Sequence, residues 1–386
     1  MMKILALTGI RSEYDILYPV LSELTDSGHD VSLVVTGAHL SQHHSNTWKR
    51  IEEDGFKIVD KIDSLFITDR LTQRAKGTGL IIQGLAQSME KSDPDFTLVV
   101  GDREESISAA IVCNYLNKLL VHIAGGDPVF GNADDPMRFA VSKLAHIHCC
   151  FAEEYKQNLI NIGEEEFRCF FTGNPSYRNF DNIPIIKKED LFNSLKLENK
   201  KYLVIVNHPL SSEVNESYKQ MEIILQSAEK FCVENNFQAI FIAPNSDPGS
   251  LQIEKVAKLY DNKKWFYSFN TLPREYFINL MRNASVLIGN SSMGILEAPH
   301  YKLPVINVGN RQKGRLNAGN VKFIDYNQDD ILNSLHDSCF NEIYRNKIKE
   351  LKNPYGDGTA PTKIKELLES ISLKDEKWYT KRRLVP

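Results

Sequence analysis

MKILALTGIRSEYDILYPVLSELTDSGHDVSLVVT, residues 2–36, opens on a short, mostly apolar run (MKILALT, 2–8) and closes on another (VSLVVT, 31–36). Between them Leu17, Val20, Leu21 and Leu24 recur at the spacing of one helix face, and Gly28 supplies the stop. Strand, helix, strand in that order is a βαβ unit, which builds a parallel sheet. The alternation continues through 96–100 (FTLVV), 119–123 (LLVHI), 147–151 (IHCCF) and 168–172 (RCFFT), so the first half reads as one doubly wound lobe. A loop holding Asn174, Pro175, Asn179, Asn182 and Pro184, then the charged cluster from Lys187 to Asp190, interrupts the pattern as a linker would. It resumes with strands at 202–206 (YLVIV), 238–243 (QAIFIA), 286–289 (VLIG) and 304–308 (PVINV). The expectation is an α/β chain of two Rossmann-like lobes, 1–180 and 185–371, in the glycosyltransferase-B architecture. The segment 372–386, with Trp378 and Tyr379, is expected to pack back on the first lobe. Open α/β sheets bind ligands at the carboxyl ends of their strands, so the active site is expected in the cleft between the lobes.

The 386 residues are 42% hydrophobic and 25% charged, the composition of a chain with a sizeable core. Lys and Arg total 46 against 50 Asp and Glu, a net charge of -4 that provides no basic field for nucleic acid. No apolar run reaches the ~20 residues that span a bilayer, and the start lacks a signal-peptide pattern, so a cytoplasmic protein without a membrane partner is expected. The six cysteines form no C-x-x-C pair and sit in apolar contexts, where buried thiols are the expectation and a structural metal is not.

The chemistry-bearing residues stand at strand ends. Thr8-Gly9-Ile10-Arg11 leads from the first strand into a helix, an arrangement that suits an anion, with Arg11 adding a bidentate fork; a capped helix with a surface arginine is the plainer reading. Gly289-Asn290-Ser291-Ser292-Met293-Gly294 is a second glycine turn between strand and helix, followed by Glu297, Arg311 and Arg315. Such a loop cradles a diphosphate while a carboxylate reaches a ribose diol. Neither a Walker pattern nor a full G-x-G-x-x-G is present, which argues against phosphate transfer and dinucleotide binding. Gly101-Asp102-Arg103, then His122-Ile123-Ala124-Gly125-Gly126-Asp127, then Asp134-Asp135-x-x-Arg138 bring carboxylates, an imidazole and arginines to one sheet edge, as acid–base chemistry beside an anion requires. His208, in Asn207-His208-Pro209, ends the first strand of the second lobe, where a structural role and an acid–base role are both open. His43-His44 lies in a polar loop, without a third metal ligand.

Taken together the chain resembles the hydrolysing UDP-N-acetylglucosamine 2-epimerases of sialic-acid and related nonulosonic-acid biosynthesis. The resemblance rests on the TG-x-R-S-E-Y start (8–14), GDR (101–103), H-I-x-GG (122–126), DD-x-x-R (134–138) with SKLAHIH (142–148), GNPSY (173–177) and NHP (207–209). It continues through Pro244, Asn245, Asp247, Gly249 and Ser250, GNSS-x-G (289–294) with Glu297, RQ-x-GR (311–315) and YGDG (355–358). It implies catalytic roles for Asp102, Asp134 and His208. It implies a UDP-sugar site drawing on Arg11, Arg103, His122, Arg138, Asn245, Ser291, Ser292, Gly294, Glu297 and Arg315. It also implies a homodimer or homotetramer, UDP as product and no dissociable cofactor. Two positions depart from the family: Ala124 stands where it commonly carries glutamate, and Phe139 where a histidine commonly follows the arginine.

The expected reaction converts UDP-N-acetylglucosamine to N-acetylmannosamine and UDP, through elimination of UDP and hydration of a 2-acetamidoglucal. One alternative keeps that chemistry on a UDP- or GDP-linked N,N'-diacetylbacillosamine, for which Ala124 leaves room. Another, of a different class, is a nucleotide-sugar binding protein with impaired catalysis.

Overall fold

The computed structural model describes residues 1–381 apart from 69, 71, 129–133 and 246; of Asp134, Asp181 and Asn182 only the backbone is described. The chain divides into two compact units. Among the described residues the first comprises 1–128, 134–179 and 355–381, and the second 180–354. The return to the first unit therefore comes at Tyr355, ahead of residue 372 where the sequence reading put it. The reason is that helix Ala360–Ser370 lies against helix Arg11–Asp26, where Arg178 links Glu23 (2.8 Å) to the Thr362 hydroxyl (2.8 Å).

The first unit holds a seven-stranded sheet of β1 (Lys3–Thr8), β2 (Asp30–Thr36), β3 (Lys57–Ile62), β4 (Phe96–Val100), β5 (Leu119–Ile123), β6 (Ile147–Cys150) and β7 (Cys169–Phe171). Every pairing is parallel and the order is β3-β2-β1-β4-β5-β6-β7. In register, Ala6 of β1 lies between Leu33 of β2 and Leu98 of β4. Such strands are buried on both faces, which is why they read as continuous apolar runs. Helices Thr72–Ser92 and Glu104–Leu116 cover one face, packing Ile81, Leu85, Met89, Val112 and Cys113 against Leu5, Leu7, Val34 and Leu120.

The second unit repeats the plan with six parallel strands: β8 (Tyr202–Val206), β9 (Gln238–Ile242), β10 (Phe266–Phe269), β11 (Val286–Gly289), β12 (Val305–Val308) and β13 (Val321–Ile324), ordered β10-β9-β8-β11-β12-β13. Val204 of β8 sits between Ile240 of β9 and Leu287 of β11. Each sheet thus reverses its winding once, between β1 and β4 in the first and between β8 and β11 in the second. In an open α/β sheet the crevice beyond the strand ends at that reversal is where ligands bind.

All six cysteines are buried and unpaired. Among the described residues no helix is long and apolar enough to cross a membrane.

Candidate active site

Of the residues singled out in the sequence, Arg11, Asp102, Arg103, His208, Ser291 and Ser292 fall at the two winding reversals, and the others at neighbouring strands. Beyond β1 the chain turns through Gly9 into helix Arg11–Asp26; the Gly9 N–H donates to Glu13 Oε2 at 2.8 Å, so a carboxylate of the same helix already satisfies that amide. Arg11, at the helix start, lies 3.6 Å from Asp15 and stays partly exposed. Beyond β4 the chain turns through Gly101, Asp102 and Arg103 into helix Glu104–Leu116. Arg103 is mostly buried beside Glu104 (3.6 Å) and Glu105 (3.8 Å).

Beyond β5 the carboxylate of Asp102 meets Arg138, carried by helix Asp134–Leu144. The same guanidinium donates to the Ala124 carbonyl at 2.7 Å and stands 4.0 Å from the fully buried Asp127. This ion pair aims the Asp102 carboxylate. Ala124 is buried with φ of 64°, the left-handed region that a non-glycine residue enters at a cost of about 1–2 kcal/mol. The strained turn aims the Ala124 carbonyl at Arg138. His122 is wholly buried: Nε2–H donates to the Gly101 carbonyl at 2.7 Å, Nδ1 accepts from Ser142 Oγ at 3.1 Å, and burial holds its pKa down to about 3. It is an uncharged brace for the Gly101 turn. Asp134 stands in the first turn of its helix, and its side chain lies outside the described residues.

In the second unit His208 follows β8 and is fixed through its backbone. Asn290, just beyond β11, accepts from the His208 N–H at 2.7 Å and donates to the His208 carbonyl at 2.8 Å. The Asn245 N–H donates to Nδ1 at 3.4 Å, which puts the proton of a neutral ring on Nε2. Gly289, with φ of 129°, lets β11 approach β8 so closely that a Cβ would stand 2.1 Å from the Val206 carbonyl oxygen. The Asn290 carbonyl accepts from Arg311 (3.1 Å) and Gln312 (3.1 Å), and Gln312 in turn accepts from the buried Arg315. Ser291, Ser292 and Glu297 are half-buried, and Gly294 is buried.

The glycine turn after β11 departs from expectation. It opens only the single helical turn Met293–Leu296, since Pro299 has no N–H to extend the ladder and its ring clashes with the carbonyl of residue 295. One turn has little macrodipole, so an anion here would depend on side chains. His43 and His44 are half-buried, their rings 4.9 Å apart and edge to face. Glu13 and Glu105 drew no attention in the sequence, and both are buried beside Arg103. An acid in a first helical turn ordinarily reads as a surface complement to the helix dipole, and nothing local marks these as internal.

A family model described as UDP-N-acetylglucosamine 2-epimerase matches residues 22–369. The hydrolysing UDP-N,N'-diacetylbacillosamine 2-epimerase of Legionella pneumophila is 35% identical over 376 residues, 96% of each chain. The hydrolysing GDP/UDP-N,N'-diacetylbacillosamine 2-epimerase of Campylobacter jejuni is 33% identical over 352 residues, 90% of this chain and 89% of that one. Among solved structures, UDP-GlcNAc 2-epimerase from Neisseria meningitidis bound to UDP-GlcNAc superposes with a TM-score of 0.82 at 21% identity, covering 96% of this chain and 100% of that one, a likeness of fold. With a family match across most of its length and near-full-length relatives at a third identity, the chain belongs to the UDP-N-acetylglucosamine 2-epimerase family.

Proposed function

We propose that the protein is a hydrolysing nucleotide-sugar 2-epimerase that converts UDP-N-acetylglucosamine to free N-acetylmannosamine and UDP. What carries the reading is the Asp102–Arg138 pair at the first winding reversal together with His208 at the second. In this reading Arg11, Arg103, Ser291, Ser292, Glu297 and Arg315 hold the UDP moiety, and Asn245 and Arg138 support the residues that meet the sugar. The C2 proton of an intact sugar is too weakly acidic for a carboxylate. Cleaving C1–O first, with the electron pair leaving on the diphosphate, places positive charge on the ring and acidifies C2. Arginines stabilise the departing oxyanion, and in this reading the His208 ring donates to it. After C1–O cleavage a weak base suffices; Asp102 or Asp134 takes the C2 proton and leaves a C1=C2 glucal. Water then adds its hydroxyl to C1, and a proton returns to C2 on the opposite face.

The second reading keeps this chemistry on a UDP- or GDP-linked N,N'-diacetylbacillosamine. It is favoured by the Ala124 methyl where the family commonly places glutamate, and by the names of the two relatives. Cytoplasmic location and a homo-oligomeric state, dimer or tetramer, belong to the same proposal.

Proton NMR of the protein with each sugar nucleotide in D₂O tests the proposal. UDP and a free sugar deuterated at C2 are the expected products. A product that keeps its C2 hydrogen overturns elimination and hydration, and tight binding without turnover of either sugar replaces the enzyme with a binding protein.

A further inference from the structure

Five charged side chains meet beyond β1 and β4, mostly shielded from water. Arg74 comes from helix Thr72–Ser92, Arg103 from the turn after β4, Glu104 and Glu105 from helix Glu104–Leu116, and Glu13 from helix Arg11–Asp26. Arg74 pairs with Glu104, and Arg103 lies 3.6 Å from Glu104 and 3.8 Å from Glu105. Glu13 and Glu105 converge on Gly9: one accepts its N–H, and Oε1 of the other stands 1.6 Å from where a Cβ on Gly9 would sit. Glu13 Oε1 and Glu105 Oε2 have no hydrogen-bond partner among the described residues. Among the described residues, the surrounding groups do not balance them. His39, from the turn Gly37–Leu40, is buried and kept neutral, bonding Thr8 and Thr47 through its two nitrogens. Arg11 faces Asp15, and Arg138 faces Asp102.

Two guanidiniums against three carboxylates leave one buried negative charge in excess, and an unpaired buried charge is relieved most readily by a proton. We propose that Glu13 and Glu105 hold one proton between them, and that binding of a nucleoside diphosphate is coupled to proton uptake by this pair. The inference rests on the reading that Arg103 meets the diphosphate. An anion drawing on the Arg103 guanidinium weakens its hold on Glu105 and adds negative charge nearby, and both raise the affinity of the pair for a proton. Burial already pushes Glu105 up to about 7, and burial with the Glu105 charge lifts Glu13 well above the carboxylate range, so uptake falls in the neutral to mildly alkaline range.

Calorimetry with UDP at about pH 8, where its own terminal phosphate is already ionised, tests the coupling. Titrations in two buffers of different ionisation enthalpy should report uptake of about half a proton or more per site. Affinity should weaken by up to about tenfold per pH unit above neutrality. In Glu105→Gln two guanidiniums face two carboxylates, and both effects should vanish; Glu13→Gln serves the same purpose if that variant does not fold. UDP binding with heats independent of buffer, or uptake that persists in the variants, overturns the inference alone. No binding of UDP overturns the diphosphate reading as well.

Discussion

His208 is positioned through its peptide and one ring nitrogen: the two Asn290 contacts fix the backbone and Asn245 orients Nδ1. His208→Ala should therefore fold normally and bind UDP, while turnover falls by roughly two to four orders of magnitude, the usual effect of losing a general acid or base. Steady-state kinetics and calorimetry on the purified variant check this, and near-wild-type turnover would make His208 a structural residue. At this scale legibility followed exposure to chemical pattern. Asp102 and His208 were visible because each follows a strand, and Arg138 because it stands in the DD-x-x-R run. The interior placement of Glu13, Glu105 and Asp127 was not, because burial of a carboxylate depends on elements far apart in the chain. His122 was legible as a member of the site but not as its brace, since its partners, Gly101 and Ser142, come from other elements.

Among the elements, the strands that read plainly are, apart from the edge strand β7, those buried on both faces. The three that did not are β3, β10 and β13, all at sheet edges: KIVDKI, FYSF and VKFI are half-exposed and lack a continuous apolar run. The tail shows what one buried side chain does for an irregular segment. Arg168 is fully buried, and its guanidinium donates to the carbonyls of His146 (3.2 Å), Trp378 (2.9 Å), Thr380 (2.8 Å) and Lys377, while Nε pairs with Glu165 at 2.8 Å. Lys381 Nζ continues the strap, donating to the carbonyls of Ser142, Lys143 and Ala145 at the end of the helix that carries Arg138. Arg168→Met keeps the apolar stem but strands those carbonyls and Glu165. The variant should lose about 3–5 kcal/mol and become sensitive to proteolysis between 372 and 381. Denaturant titration and limited digestion decide it: an unchanged midpoint with a protected tail would show that Trp378, packed on Phe167 at 5.3 Å, holds the segment without the arginine.

Across the whole molecule, one winding scheme used twice explains why the sites were legible as positions and not as geometry. The order of elements along the chain predicts two doubly wound sheets and their strand ends, whereas the charge balance inside an end is set by packing. That balance governs the pH response of the first unit. Burial lowers His39 to about 4, His122 to about 3 and His146 to about 4, so these rings stay neutral in the folded protein while the unfolded chain protonates them near 6.5. Below that pH the unfolded state binds more protons, and each ring removes about 1.4 kcal/mol of stability per pH unit as the pH falls toward its folded value. Glu13 and Glu105 have the opposite sign. Their folded pKa values are raised, so their contribution is fully present below the unfolded value of about 4.5 and is lost as pH rises, for Glu105 through about 7. Between about 4.5 and 6.5 the two sets oppose each other, so the wild-type curve should be less steep than the rings alone would make it. Glu105→Gln removes one opposing group, so its stability should fall more steeply on acidification, by about 1.4 kcal/mol per additional pH unit. Urea unfolding of both proteins at several pH values in that window measures the difference in slope, and parallel curves would mean that Glu105 keeps an ordinary carboxylate pKa in the folded state.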